Sequence, residues 1–290
     1  LQGIMGGYFA EIQGFDKEIS QAISEHYLPL GMDSRTPNKP FSIALSISDK
    51  LDSLVGFFGI NFKPTSSKDP YALRRMAISL VRLIIENNKN FKLRDLINYS
   101  CLLYKEQKFE FDTKILNKEL GEFILERLKN YLKEKKIRND IVESSVHIAS
   151  IDELSKIYKK SLALNKNIKK DSGQDVIYIY KRASNILSSE RDNSIEIIGS
   201  ADPGIFKNDF EKNLYKKIHN IRKYFSSAGR SEDYEESLKT LSAAKFDVEA
   251  FFDNVVVNDS DPIIKKNRLE LLKMLCKSFD NYFNFSKIEI

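Results

Sequence analysis

The chain has 290 residues, 42% of them hydrophobic and 30% charged, and its 46 Lys and Arg against 41 Asp and Glu leave a formal net charge of +5. That length holds about two domains with cores of their own, the composition excludes a disordered chain, and so mild a charge supports nucleic-acid binding only through local patches. No run of about 20 apolar residues offers a membrane span, and three histidines (His26, His147, His219) with two cysteines in separate apolar runs leave a zinc site almost no ligands.

The chain opens on LQGIMGGYFAEIQGF, which has neither a basic lead-in nor a long apolar segment and so is not expected to act as a secretory signal. Lacking an initiator Met, it is expected to be a truncated piece. His26 in EHYLP, followed by Asp49 and Asp52 in SISDKLDSL, offers the ligand types of metal phosphohydrolases of the HD type. Those enzymes need a consecutive His-Asp pair, because several imidazoles and carboxylates must converge on one metal. No His-Asp dipeptide occurs. His26 is therefore expected to be structural, with Asp49 and Asp52 capping or pairing between helices, and no catalytic residue or metal ligand is assigned.

The stretch KPTSSKDPYALRR, from Lys63 to Arg75, lacks the glycines with which a Walker loop surrounds phosphate. It reads instead as a helix start, with Asp69 as N-cap and Pro70 as first helical residue. Leu73, Met76, Ala77, Leu80, Val81 and Ile84 follow on one helical face. Near such a start Lys68, Arg74 and Arg75 either contact an anion or hold the two halves of the chain together. The polar segments from Asn87 to about Lys108 read as a loop and a domain boundary.

A second helix is marked by Ile124, Leu125, Leu128, Tyr131 and Leu132, with Lys129, Lys133 and Lys136 on its other side. A third, through VIYIYKRASNIL, places Val176, Ile179, Tyr180, Ala183 and Leu187 on one face. SSERDNSIEIIGSADPG reads as a second loop, and Val255 to Val257 as the extended exit of a helix ending at Phe252 or Asp253. Asp261 and Pro262 repeat the cap-then-proline start, and Ile264, Leu271, Leu272, Leu275 and Phe279 of the helix that follows point inward. Strand signals are few, so the fold class is mainly α. Cys101 and Cys276 are expected to be buried, reduced thiols.

Three basic clusters stand near an aromatic: Lys129, Lys133 and Lys136 near Tyr131; Lys181 and Arg182 near Tyr180; Lys265, Lys266 and Arg268 near Phe252. That pairing suits phosphate contact with base stacking. Lys181 and Arg182 are the first candidates for RNA contact, then Lys265 and Arg268, then Lys129 and Lys133.

The segments LQGIMGGYFA, EHYLP, SDKLDSLVGFFGI and KPTSSKDPYALRR, continued by KRASNIL, FFDNVVV, NRLELL and FSKI, stand in an order and spacing that resembles the β subunit of bacterial heterotetrameric glycine–tRNA ligases. Residues 136–170 and 188–245 match weakly. Gly7 stands where the family usually has a basic residue, and Ser66 where it usually has glycine. The resemblance implies the carboxy-terminal part of β: the rear of a degenerate HD-like helical domain over 1–108, then a helical anticodon-binding domain over 109–290, similar to that of arginine–tRNA ligase. It implies an α2β2 heterotetramer in the cytoplasm that binds the tRNA for glycine. The α subunit would hold the active site that uses ATP and Mg, with no cofactor on this piece. Two other readings stay open on the residues alone, an HD-type phosphohydrolase fragment and a helical docking scaffold without RNA contact.

Overall fold

The computed structural model describes residues 1–65, 67–147, 150–190, 197–227, 233–280 and 282–289. Among them the chain forms thirteen α-helices and no strand. They fall into two compact units, Leu1–Lys136 with Ala149–Tyr158, and Ile137–Ile148 with Lys159–Ile290.

In the first unit α1 (Ile4–Ile12) lies on α2 (Lys17–Glu25), and α2 on α3 (Pro40–Gly59). The core is α3 packed with α4 (Leu73–Glu86), α5 (Leu93–Glu106) and α6 (Thr113–Glu134). Leu54, Val55, Leu80, Val81, Ile97 and Leu120 are buried there. Because α6 packs on α3, α4 and α5, this unit runs past the division expected at residue 108. The segment expected to be a loop is helix α5. Its polar surface masks a short repeat of Leu93, Ile97 and Cys101, which are buried one turn apart.

Gly7 is buried where α1 meets α2. A Cβ there would stand 2.9 Å from the Ser20 carbonyl oxygen and 1.7 Å from Ser24 Oγ, so this contact leaves no room for the basic side chain usual in the resembled family.

The second unit holds α7 (Asn139–His147), most of α8 (Leu154–Asn167), α9 (Asp171–Ser189), α10 (Asp209–Ser227), α11 (Tyr234–Ser242), α12 (Lys245–Asn254) and α13 (Pro262–Asp280). Helix α9 packs against α11, α12 and α13, and α10 against α12 and α13. Val176, Ile179 and Ala183 of α9 meet a core that includes Leu271, Leu272, Leu275 and Phe279. Asp261 caps α13 as expected, its Oδ1 accepting from Ile263 N at 2.8 Å. The FSKI tail buries Phe285 and Ile288, and Arg138 Nη2 donates to the Glu289 carbonyl at 2.9 Å.

Of the second expected loop, residues 191–196 lie outside the described residues, while 198–202 are fastened to α13. The buried Glu270 carboxylate accepts from Ile198 N at 3.1 Å, from Gly199 N and from Ser200 N at 2.8 Å. Asn267 exchanges two hydrogen bonds with the backbone of Asp202, at 2.7 and 3.0 Å. Three N–H groups satisfy the buried Glu270 carboxylate, so this segment is anchored to α13 at the surface, with Ala201 buried and Ile198 exposed.

Candidate nucleic-acid interface

On the second unit, Arg182 of α9 lies over the ring of Phe252 of α12, 4.4 Å from its centroid, and 5.8 Å from that of Tyr178. Tyr178 and Arg182 are one helical turn apart, which lets Nη1 donate to the Tyr178 hydroxyl at 2.7 Å. Asp253 is a looser partner at 3.8 Å. Helix α12 is tied to α9 by Lys245 Nζ on Asp175 at 2.7 Å. Lys181, half-exposed beside Arg182, has no ion pair among the described residues. Phe246, on the same helix as Phe252, is 78% exposed. A guanidinium held against Phe252 and the Tyr178 hydroxyl keeps donors for phosphate at little further entropy cost, and an exposed ring offers a face to an unstacked base. Phe246 was not singled out from the sequence; its one signal is an aromatic off the apolar stripe of α12.

The other candidates fare differently. Arg268 is buried: its Nε donates to Glu211 at 2.7 Å, and its Nη1 to Asp259 and to the Val256 carbonyl, each at 2.7 Å. Buried and held by two carboxylates and a carbonyl, the Arg268 guanidinium is turned to protein partners, unlike the exposed cation expected of an RNA contact. Lys265 is bound to the buried Glu190 at 2.7 Å. Lys129 and Lys133 sit on α6, in the first unit. Lys129 lies 3.7 Å from Glu126, while Lys133 is exposed.

The expected aromatic partners change as well. Tyr131 and Tyr180 are buried, with hydroxyls on Glu86 at 3.4 Å and Asp280 at 3.0 Å, so neither can stack a base. Phe252 serves Arg182 and not Arg268.

KPTSSKDPYALRR forms a closed helix start, with Ser66 outside the described residues. Helix α4 begins at Leu73, later than Pro70, yet Asp69 still caps it: its carboxylate accepts from Leu73 N at 2.8 Å and Arg74 N at 3.0 Å. The Arg74 guanidinium donates to the Thr65 carbonyl, and Lys68 N to Thr65 Oγ1 at 3.2 Å. Two of the N–H groups an anion would use, those of Leu73 and Arg74, are already occupied by Asp69. Lys68 and Arg75 remain exposed.

His26 is structural, its Nδ1 donating to the Ile23 carbonyl at 2.6 Å. Near it the buried Lys50 amine donates to the His26 carbonyl at 2.8 Å and to Ser46 Oγ at 2.9 Å. Burial lowers that amine to about 8, against an opposing pull from Asp49. Among the described residues no group of three or more His, Cys, Asp and Glu gathers as a metal site, and the His147 side chain lies outside them. Cys101 and Cys276 are buried free thiols. Burial pushes both up, Cys276 to about 12, so neither is an activated nucleophile.

A family model described as glycyl-tRNA synthetase beta subunit matches residues 1–147, and one described as DALR anticodon binding domain matches 176–290. The chain is 38% identical over 288 residues to the glycine–tRNA ligase beta subunit of Rickettsia africae, covering 99% of this chain and 41% of that protein. The beta subunit of Rickettsia conorii is also 38% identical over 288 residues, with the same coverage. That of Cereibacter sphaeroides is 32% identical over 290 residues, covering 100% of this chain and 42% of its own length. The chain thus spans about two fifths of the curated relatives it matches.

Proposed function

Because the chain belongs to the glycyl-tRNA synthetase beta subunit family, we propose that it is a tRNA-holding portion of a glycine–tRNA ligase, with the second unit binding the anticodon. The observation that carries this is the coincidence of the anticodon-binding match over 176–290 with the Arg182–Phe252 stack and exposed Phe246 inside it. Lys181 and Arg182 supply positive charge for the backbone, and the aromatic rings receive bases splayed from the loop. The first unit, expected to be a degenerate HD-like domain, brings no metal ligand set among its described residues. Chemistry on glycine, with ATP and Mg, belongs to an α subunit in an α2β2 complex in the cytoplasm.

The test is aminoacylation of the tRNA for glycine by α subunit together with β lacking the residues matched to 176–290. Loss of glycylation, with binding of the tRNA to the present chain falling as salt rises, is the expected result. Full glycylation by the truncated pair would overturn the role. No observation favours the phosphohydrolase reading.

A further inference from the structure

Two open cavities of about 560 and 480 Å³ lie along α5 and α6 of the first unit and share Asn98 and Thr113. Arg94, Lys114 and Lys118 line the larger, and Lys105 with Phe109 lines the smaller. Lys105, Lys114 and Lys118 are exposed and form no ion pair among the described residues. Arg94 holds Asp152 only at 3.5 Å and is 58% exposed. Glu110 and Glu122 are the acids in the lining and Asp152 adjoins Arg94, so four cations face three carboxylates. The neighbouring Asp112 carboxylate is engaged by the N–H groups of Lys114 and Ile115, both at 3.0 Å.

Lys114 and Lys118 are one turn apart on α6, where like charges repel. Asn98 accepts from Asn117 Nδ2 at 2.7 Å through its Oδ1, so its own amide hydrogens face outward as donors. Phe109 is 47% exposed and packs as the outer member of a three-ring cluster, its centroid 6.0 Å from Tyr104 and 6.4 Å from Phe111, which lie 5.3 Å from each other. The trough is therefore rich in donors and cations at one end and carries a fixed aromatic face at the other.

We infer that this trough binds a short single-stranded segment of RNA, its phosphates on Arg94, Lys114 and Lys118 and one base against Phe109. An acidic peptide would satisfy the cations but has no group that uses a flat, pinned ring beside them, whereas phosphate and base use both. The inference rests on the proposed function only in that RNA is the polymer at hand. It concerns the first unit, which lies outside the anticodon-binding match.

The test measures binding of a labelled seven-nucleotide unstructured RNA, of the tRNA for glycine and of a poly-glutamate peptide to the full 290-residue chain over a salt series. Lys114→Gln/Lys118→Gln is expected to weaken the short RNA roughly tenfold near 0.1 M salt and to reduce the salt slope by about 1.4, two single-strand phosphate contacts. Phe109→Ala is expected to weaken it about fivefold with the slope unchanged, because stacking releases no counterions. Far-ultraviolet circular dichroism separates either loss from unfolding, and Lys114→Gln alone, at an exposed site, serves if Phe109→Ala unfolds. Unchanged affinity in the folded lysine variants overturns the inference, as does tighter binding of poly-glutamate than of RNA. If tRNA binding persists while the short RNA is ignored, the trough fails and the anticodon role stands. If Lys181→Gln/Arg182→Gln leaves tRNA binding whole while the trough variants abolish it, the anticodon role fails and the trough stands. Failure to bind either RNA refutes both.

Discussion

Arg268 and Glu211, 57 residues apart in sequence, form a buried ion pair with Nε to Oε1 at 2.7 Å and side chains only 7% and 1% exposed. Glu211 is itself held by Lys207 N at 2.6 Å and Asn208 N at 3.1 Å. Arg268 also reaches Asp259 and the Val256 carbonyl, so the pair joins α10, α13 and the extended exit of α12.

Removing one member leaves the other charged and unpaired in the core. Arg268→Ala is expected to destabilise the chain by about 3–5 kcal/mol, read as a lower urea midpoint. Below that midpoint, the folded variant should bind tRNA with wild-type affinity. A loss of binding without a loss of stability would return Arg268 to the interface.

Arg182→Ala and Phe252→Ala should do the reverse. Each is expected to weaken tRNA binding by about 1–3 kcal/mol, and the arginine variant alone should flatten the salt dependence. Fluorescence anisotropy against the tRNA for glycine reads both effects. Because the two side chains stack at 4.4 Å, the double variant should lose less than the sum of the single losses.

Lys50 makes stability depend on pH. Its amine is lowered from 10.5 to about 8 by burial, so the folded state disfavours the proton that the unfolded chain keeps. A base depressed in this way destabilises the fold fully below pH 8, and the penalty fades as pH rises toward 10.5. From pH 7 to 9 the difference in unfolding free energy between wild type and Lys50→Met should therefore move in favour of wild type by roughly 1 kcal/mol. Subtracting the variant cancels the opposing thiols and tyrosines, whose raised values destabilise the fold above pH 9. A flat difference would show that the amine is not buried in the fold.

Asp69→Ala strips the cap from two backbone N–H groups of α4 and should cost about 1 kcal/mol in chemical unfolding. Asp69→Asn should recover only part of that, since its single amide oxygen can accept from one of the two N–H groups while its NH2 faces the other. RNA affinity should not rise in either variant. A rise would mean that the freed helix start takes phosphate.

Helical character, the inward faces of α6, α9 and α13, the capped starts at Asp69 and Asp261 and the family motifs were all legible in the sequence, because periodicity and capping are local. Helix α5 was hidden because only Leu93, Ile97 and Cys101 carry its buried stripe amid polar neighbours. The length of the first unit was hidden too, since the partners of α6 lie far back in the chain. Which cations stay free was a tertiary decision. Arg182 and Arg268 each stand near an aromatic in the sequence, yet one is stacked at the surface and the other desolvated against Glu211. Exposure depends on what a distant segment brings to the same place, and no local spacing encodes that.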